Sequence, residues 1–193
     1  MTNEILKENF LTSTTNFVKQ NSKLLILLLV TILIFLFTYL FYKNLQDKSN
    51  IQIAEKYTTA SILIKQNKIE ESKILLEAII KKKHQFYSPL SLYLIIDNDI
   101  ENDNKKIISF FDQILKNNSI SNENLNLIKI KKAIYLINID DEKLIIETLN
   151  PVINSNSVWR EIAINLIKEY FLSKDQKIKA EEYNQLLQNR TKK

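Results

Sequence analysis

Hydrophobic and polar positions divide this chain into one uninterrupted apolar run and a long region of helical periodicity. From Leu24 to Tyr42 only Thr31 and Thr38 are clearly polar, no residue is charged, and Lys23 and Lys43 bound the run. From Asn50 onward apolar residues recur at three and four positions, with short Asn/Asp/Ser/Lys breaks between segments and no β-branched alternation. This periodicity predicts helices near 50–66, 68–83, 89–99, 103–117, 122–138, 141–150, 157–173 and 176–190. Several starts carry a marker: Ser88-Pro89 as cap and first-turn proline, Asp140 or Asp141, Ser157 and Asp175. Asn150-Pro151 marks a stop.

The apolar run is long enough to cross a bilayer. Nineteen residues rising about 1.5 Å each make a helix of roughly 28 Å, close to the hydrocarbon thickness. Fifteen of them are Leu, Ile, Val or Phe, which together favour insertion by about 4 to 9 kcal/mol. A buried helix of a soluble protein normally keeps a polar stripe, and this one has none. A cleaved signal sequence is a poorer fit, because the run exceeds the usual 7 to 15 apolar residues and ends in bulky aromatics at Tyr39, Phe41 and Tyr42. The run is therefore expected to stay as an anchor. Orientation does not follow from charge: Lys7, Lys19 and Lys23 precede it, and Lys43, Lys48 and Lys56 follow. The expected organisation is an N-terminal segment over 1–23, a transmembrane helix over 24–42, a juxtamembrane linker over 43–49 and a helical-repeat domain over 50–190. In the first segment Leu6, Phe10 and Phe17 suit either a short interfacial helix or a disordered tail.

The predicted helices form four pairs. Breaks within pairs fall at Asn67, Asn102, about Asp140 and Lys174, spaced by 35, 38 and 34 residues, a period of stacked helical hairpins of the tetratricopeptide kind. In that motif two small residues twelve apart let paired helices approach. Ala60 and Ser72 have this spacing; Ile95 and Ile107 fill both positions of the second pair, Ile145 follows Ala133 in the third, and Ala180 falls later than the pattern asks in the fourth. Trp159-Arg-Glu-Ile162-Ala163-Ile-Asn-Leu166 matches the aromatic, large, small and large spacing of a first repeat helix. The expected fold is thus all-α: an N-terminal transmembrane helix, then a tetratricopeptide-like α-solenoid of about four hairpins.

Composition removes whole classes of chemistry. There is no glycine, so phosphate loops, dinucleotide fingerprints and nucleophile elbows have no residue to build on. There is no cysteine, so disulfides and thiolate metal sites are excluded. Asn is expected to serve at turns where glycine would stand. Beyond the anchor 24 Lys and Arg face 20 Asp and Glu, too even a balance for a nucleic-acid reader.

The remaining candidates read as structure. His84, the single histidine, follows Lys81-Lys82-Lys83 at a predicted helix end and lacks ligand neighbours at metal spacing, which gives it a solvated or dipole-compensating role. The three lysines read likewise, with contact to anionic headgroups as the alternative. The run Asp97, Asp99, Glu101, Asp103 fails as a calcium loop, since its sixth and twelfth positions are Asn102 and Ile108; it reads as an inter-helix turn. Asp140-Asp141-Glu142 supplies first-turn charge. Trp159, Phe110, Phe111, Phe171 and the tyrosines serve a core or a peptide groove, with core expected for Trp159. No catalytic, cofactor-binding or metal residue is assigned, and no enzyme activity or cofactor is expected.

The order of a short polar start, one anchor and divergent repeats ending in Trp-Arg-x-x-Ala resembles the bacterial family of ancillary Sec translocon subunits. The resemblance rests on Asn3-Glu-Ile-Leu-Lys-Glu8, the anchor, Asn67 with Ser72 and Leu76, and Val158-Trp159-Arg160 with Ala163. The turn glycines of that family are replaced here by Asn67, Asn102 and Lys174. It implies a single-pass protein of the bacterial inner membrane, N-terminus cytoplasmic, whose periplasmic repeats contact the Sec translocon, periplasmic chaperones or client polypeptides. No nucleic-acid partner and no small-molecule substrate are expected. The alternative expectation is a self-associating scaffold of a cell-envelope assembly.

Overall fold

The structure, a computed structural model, describes residues 21–188. The N-terminal segment expected over 1–23 therefore lies, up to residue 20, outside the described residues, as do the last positions of the expected repeat domain. Among the described residues the chain is entirely α-helical, with eight helices and no strand. They are α1 (Ser22–Lys65), α2 (Ile69–Lys81), α3 (Tyr87–Asp97), α4 (Asn104–Leu115), α5 (Asn122–Asn138), α6 (Glu142–Ile153), α7 (Arg160–Ser173) and α8 (Lys177–Gln188).

The chain divides into two compact units, residues 1–52 and 53–193. In the first, α1 contains one candidate membrane-spanning stretch near the N-terminus, none of it buried. Thr31 and Thr38 do not break its apolar character, because each hydroxyl donates to the carbonyl four residues back, Leu27 O and Ile34 O, both at 2.8 Å. Residues 43–49, expected as a linker, are helical, and the helix expected to begin near 50 is already under way.

The second unit is built from helical hairpins with one recurring turn. Asn67, Asp99, Asp140 and Asp175 take positive φ, from 49° to 59°, at the turns α1–α2, α3–α4, α5–α6 and α7–α8. Each is closed by the same bond pair of a Schellman cap. Lys68 N donates to Leu63 O and Asn67 N to Ile64 O; Ile100 N to Ile95 O and Asp99 N to Ile96 O. Asp141 N donates to Leu136 O and Asp140 N to Ile137 O; Gln176 N to Phe171 O and Asp175 N to Leu172 O. The left-handed residue is thus Asp in three turns and Asn in one, and neither Asn102 nor Lys174 holds the place given to them. Both residue types reach this region because a short polar side chain bonds locally. At Asp99, whose side chain has no other role, replacement by Gly is expected to stabilise the fold by roughly 0.5 to 1 kcal/mol and by Val to cost about 1 to 2 kcal/mol, read by urea melts.

The turns also set the repeat register. Seven positions before each left-handed residue stand Ala60, Leu92, Ala133 and Lys168; the matching positions on the second helices are Ser72, Ile107, Ile145 and Ala180, allowing for an α3–α4 turn three residues longer. Ser72 donates its hydroxyl to Ala60 O at 3.1 Å, so those two backbones do approach closely. Counted from Asp175, Ala180 stands where Ser72 stands from Asn67, with Lys168 and not a small residue twelve positions before it. Ala163 is out of register: it lies five residues too early and is buried against the core instead, so the Trp159 motif matches the repeat in spacing but not in place.

Bonds between hairpins recur at nearly one repeat length. Asn117 Nδ2 donates to Lys83 O at 2.6 Å, Ser157 Oγ to Glu123 Oε2 at 2.7 Å and Lys174 Nζ to Asp140 Oδ2 at 2.6 Å, each spanning 34 residues. Tyr135 donates to Asn104 Oδ1 at 2.6 Å and Tyr170 to Asp140 Oδ1 at 2.9 Å, one hairpin back in both cases. Each helix from α2 packs on its successor, and α2 also touches α4 and α5 touches α7. Two apolar clusters fill the interior, one from Ala60 to Ile128 and one from Ile130 to Ala180, with α5 shared between them.

Three helix starts and one stop differ from expectation. Ser88 does not cap α3 but donates into α2, to Ile79 O at 2.9 Å, from a fully buried position. The cap is His84, whose Nδ1 accepts from Phe86 N and Tyr87 N, both at 3.1 Å; burial also lowers its pKa, so the neutral imidazole this cap requires is favoured. Ser157 likewise precedes its helix by three residues, accepting from Trp159 N at 3.1 Å. Asp175 occupies the turn and not the helix start. Finally α6 runs through Pro151 to Ile153. Proline deprives Glu147 of a helical partner, but both residues are exposed, so water satisfies that carbonyl while buried Leu149, Val152 and Ile153 hold the turn in place.

Candidate binding groove

Of the first helices of neighbouring hairpins, α5 and α7 pack on each other, and α3 and α5 stand on either side of an opening. Between α3 and α5, floored by α4, is a groove of about 280 Å³. Tyr93, Ile96 and Asp97 line it from α3; Lys131, Ile134, Tyr135 and Asn138 line it from α5; Phe111 of α4 closes the floor. Counted from Tyr93 the α3 positions follow at three and four residues, and counted from Lys131 the α5 positions follow at three, four and seven, which puts each set on one face.

Phe111 is fully buried and its ring centre lies 6.2 Å from that of Tyr135. Tyr93 is mostly enclosed, and burial pushes its hydroxyl up to about 12. Tyr135 is also raised, by burial first and then by Asp103 and Glu101. Both phenols are therefore neutral donors at ordinary pH. Lys131 places its ammonium 5.8 Å from the Tyr93 ring centre, a cation–π contact on the rim, with the Asp97 carboxylate on the opposite helix. Ile134 is exposed at the mouth. The groove thus presents aromatic walls, an apolar lip and one charge of each sign. Such walls can enclose an apolar or aromatic side chain.

Of the aromatics expected in core or groove, Phe110 and Phe171 are core, and Phe111 serves both. Trp159 is only half-buried, at the end of the preceding loop, where it packs against the second cluster. Tyr93 and Tyr135 are among the tyrosines expected in core or groove, whereas Lys131, Ile134 and Asn138 have no such expectation: each helix carries its stripe, but nothing in one helix says which other helix it meets.

The acidic run is a structured turn. Asp103 caps α4, accepting from Lys105 N at 2.9 Å, while Glu101 accepts from Asn102 N and Asp103 N and pairs with Lys106 at 2.9 Å and Lys73 at 3.1 Å. Among the described residues no group of three His, Asp or Glu is placed to hold a metal ion. The hydrogen bond from Lys106, with those from the Asp103 amide and Lys73, holds the Glu101 carboxyl down to about 2 from its ordinary 4.5. The unfolded chain therefore binds the extra proton, and the contribution is complete above about pH 4.5 and lost as pH falls toward 2. Glu101→Gln is expected to flatten that part of the acid limb in melts between pH 2 and 6. Asp141 caps α6 through Leu144 N at 3.0 Å, and Glu142 pairs with Lys179 at 2.8 Å, so Asp140-Asp141-Glu142 ties two hairpins as well as charging a first turn.

Comparison with protein-family models, curated proteins and solved structures gives no match for this chain.

Proposed function

We propose that this protein is a membrane-anchored, non-catalytic module of tetratricopeptide-like hairpins that binds other proteins through the groove between α3 and α5. The observation that carries the proposal is the recurrence of one turn and one inter-hairpin bond spacing, which stacks the first helices so that Tyr93, Lys131 and Tyr135 face one opening. An exposed apolar stretch of bilayer length supports the anchor, and confinement beside a membrane raises the effective concentration for membrane partners. Following the sequence resemblance, we assign the repeats to the periplasmic face of a bacterial inner membrane and their partners to the Sec translocon, periplasmic chaperones or emerging clients.

A photo-crosslinking residue at Ile134 in the full chain tests this. Adducts to translocon subunits, chaperones or nascent secretory chains support it; adducts only to a second copy favour the scaffold instead. The scaffold has one feature in its favour, since Ile178 of α8 is exposed and offers an apolar side chain that a second copy could cover. Protease accessibility in spheroplasts tests the orientation: protection of residues 53–193 rejects the periplasmic assignment.

A further inference from the structure

The hairpin array has two ends that differ in charge. The turns inside the second and third hairpins are acidic, with Asp99, Glu101, Asp103, Asp140, Asp141 and Glu142 against Lys105, Lys106 and Lys143, whereas the first and fourth turns carry Lys65, Lys68, Lys174 and Lys177 beside Asp175. The loops between hairpins, α2–α3, α4–α5 and α6–α7, carry no carboxylate; at them and their edges stand Lys81, Lys82, Lys83 and Lys116, with Arg160 bonded to Ile153 O and Leu186 O, against Glu123 and Glu161 in the helix turns that follow. The Asn117–Lys83 bond fixes the first two loops side by side, and the Ser157–Glu123 bond brings the third beside the second. The three loops therefore make one continuous end whose lysines gather at the first two. Two apolar side chains protrude from it, Phe86 and Val158, the latter 76% exposed.

This is also the end at which the chain enters the unit. Ile53 lies one turn before Tyr57, whose ring centre is 5.5 Å from that of Tyr87 at the start of α3, immediately after the lysine run. Only residues 43–52 separate Tyr42 from the unit, at most about 35 Å even if fully extended. Lysines beside protruding Phe and Val are the composition that binds an anionic bilayer surface, where charge attracts and an apolar tip enters the headgroup layer.

We infer that the loop end formed by Lys81–Lys83, Phe86, Lys116 and Val158 docks on anionic lipid headgroups, standing the hairpins with their acidic turns away from the membrane. The inference rests on the anchored reading above and adds a second contact with the same bilayer. Each lysine near such a surface multiplies the docked population by about fivefold, and the attraction is screened over roughly 8 to 10 Å.

Trp159, the single tryptophan, sits in the α6–α7 loop and supplies the probe. Full-length protein is reconstituted into vesicles of phosphatidylcholine alone or with phosphatidylglycerol, each with lipids brominated near the headgroup, and tryptophan emission is read. A second probe, Phe86→Trp with Trp159→Phe, stands beside the lysines. Quenching is expected in anionic vesicles, lost at 0.5 M salt (about a 4 Å screening length) and lost in Lys81→Gln/Lys82→Gln/Lys83→Gln, for which the docked ratio falls roughly a hundredfold. Lys65→Gln/Lys68→Gln/Lys105→Gln removes equal charge from the other end and is expected to leave quenching unchanged. Equal quenching in neutral vesicles, survival in the first triple variant, or no quenching at either probe overturns the inference. Failure of the protein to float with vesicles of either composition overturns the anchor itself.

Discussion

Phe111→Ala is expected to destabilise the 53–193 unit by about 3 to 5 kcal/mol, lowering the melting temperature by on the order of 10 °C. The ring is fully enclosed, packs among Ile107, Ile114 and the Tyr135 ring, and floors the groove, so its loss leaves a cavity that rigid neighbouring hairpins cannot close. Phe111→Leu keeps most of that volume and is expected to cost much less. Urea melts of both variants give the comparison: similar losses would mean that the groove floor relaxes freely and that the stacked arrangement is looser than described. If groove shape governs partner capture, the Ile134 adducts should fall with Phe111→Ala and persist with Phe111→Leu at temperatures where both remain folded.

Leu33→Arg/Leu36→Arg is expected to move the full-length protein from the membrane to the soluble fraction. The whole apolar run favours insertion by about 4 to 9 kcal/mol, while two arginines near the bilayer centre cost about 5 to 7 kcal/mol and forfeit two leucines. Both positions are exposed and lie outside the 53–193 unit, so the hairpins keep their packing. Sedimentation of carbonate-washed vesicles gives the result, with circular dichroism as the check on folding. A variant that stays fully in the pellet would show that something besides the apolar run holds the chain at the membrane; the basic loop end is the first place to look, and high salt would then release it.

Burial periodicity was legible throughout: helices near 68–83, 103–117, 122–138 and 157–173 stand within a few residues of α2, α4, α5 and α7. Errors gathered at ends, where local signals compete. Ser88 and Ser157 look like caps, yet Ser88 donates into another helix from a buried position, and Ser157, three residues early, donates to the Glu123 carboxylate while accepting from the Trp159 amide. Pro151 looks like a stop, but one lost backbone bond on an exposed face is small against three buried apolar side chains beyond and around it.

By itself the sequence determined an apolar stretch of bilayer length, an all-helical remainder and hairpin turns made without glycine, because each follows from side-chain polarity at fixed spacing along one segment. Only the tertiary structure decided which residues share a repeat position, which stripes close a groove and which loops gather their lysines at one end. Those are relations between hairpins, set by bonds spanning about 34 residues, and no pattern within a single helix encodes its neighbour's register.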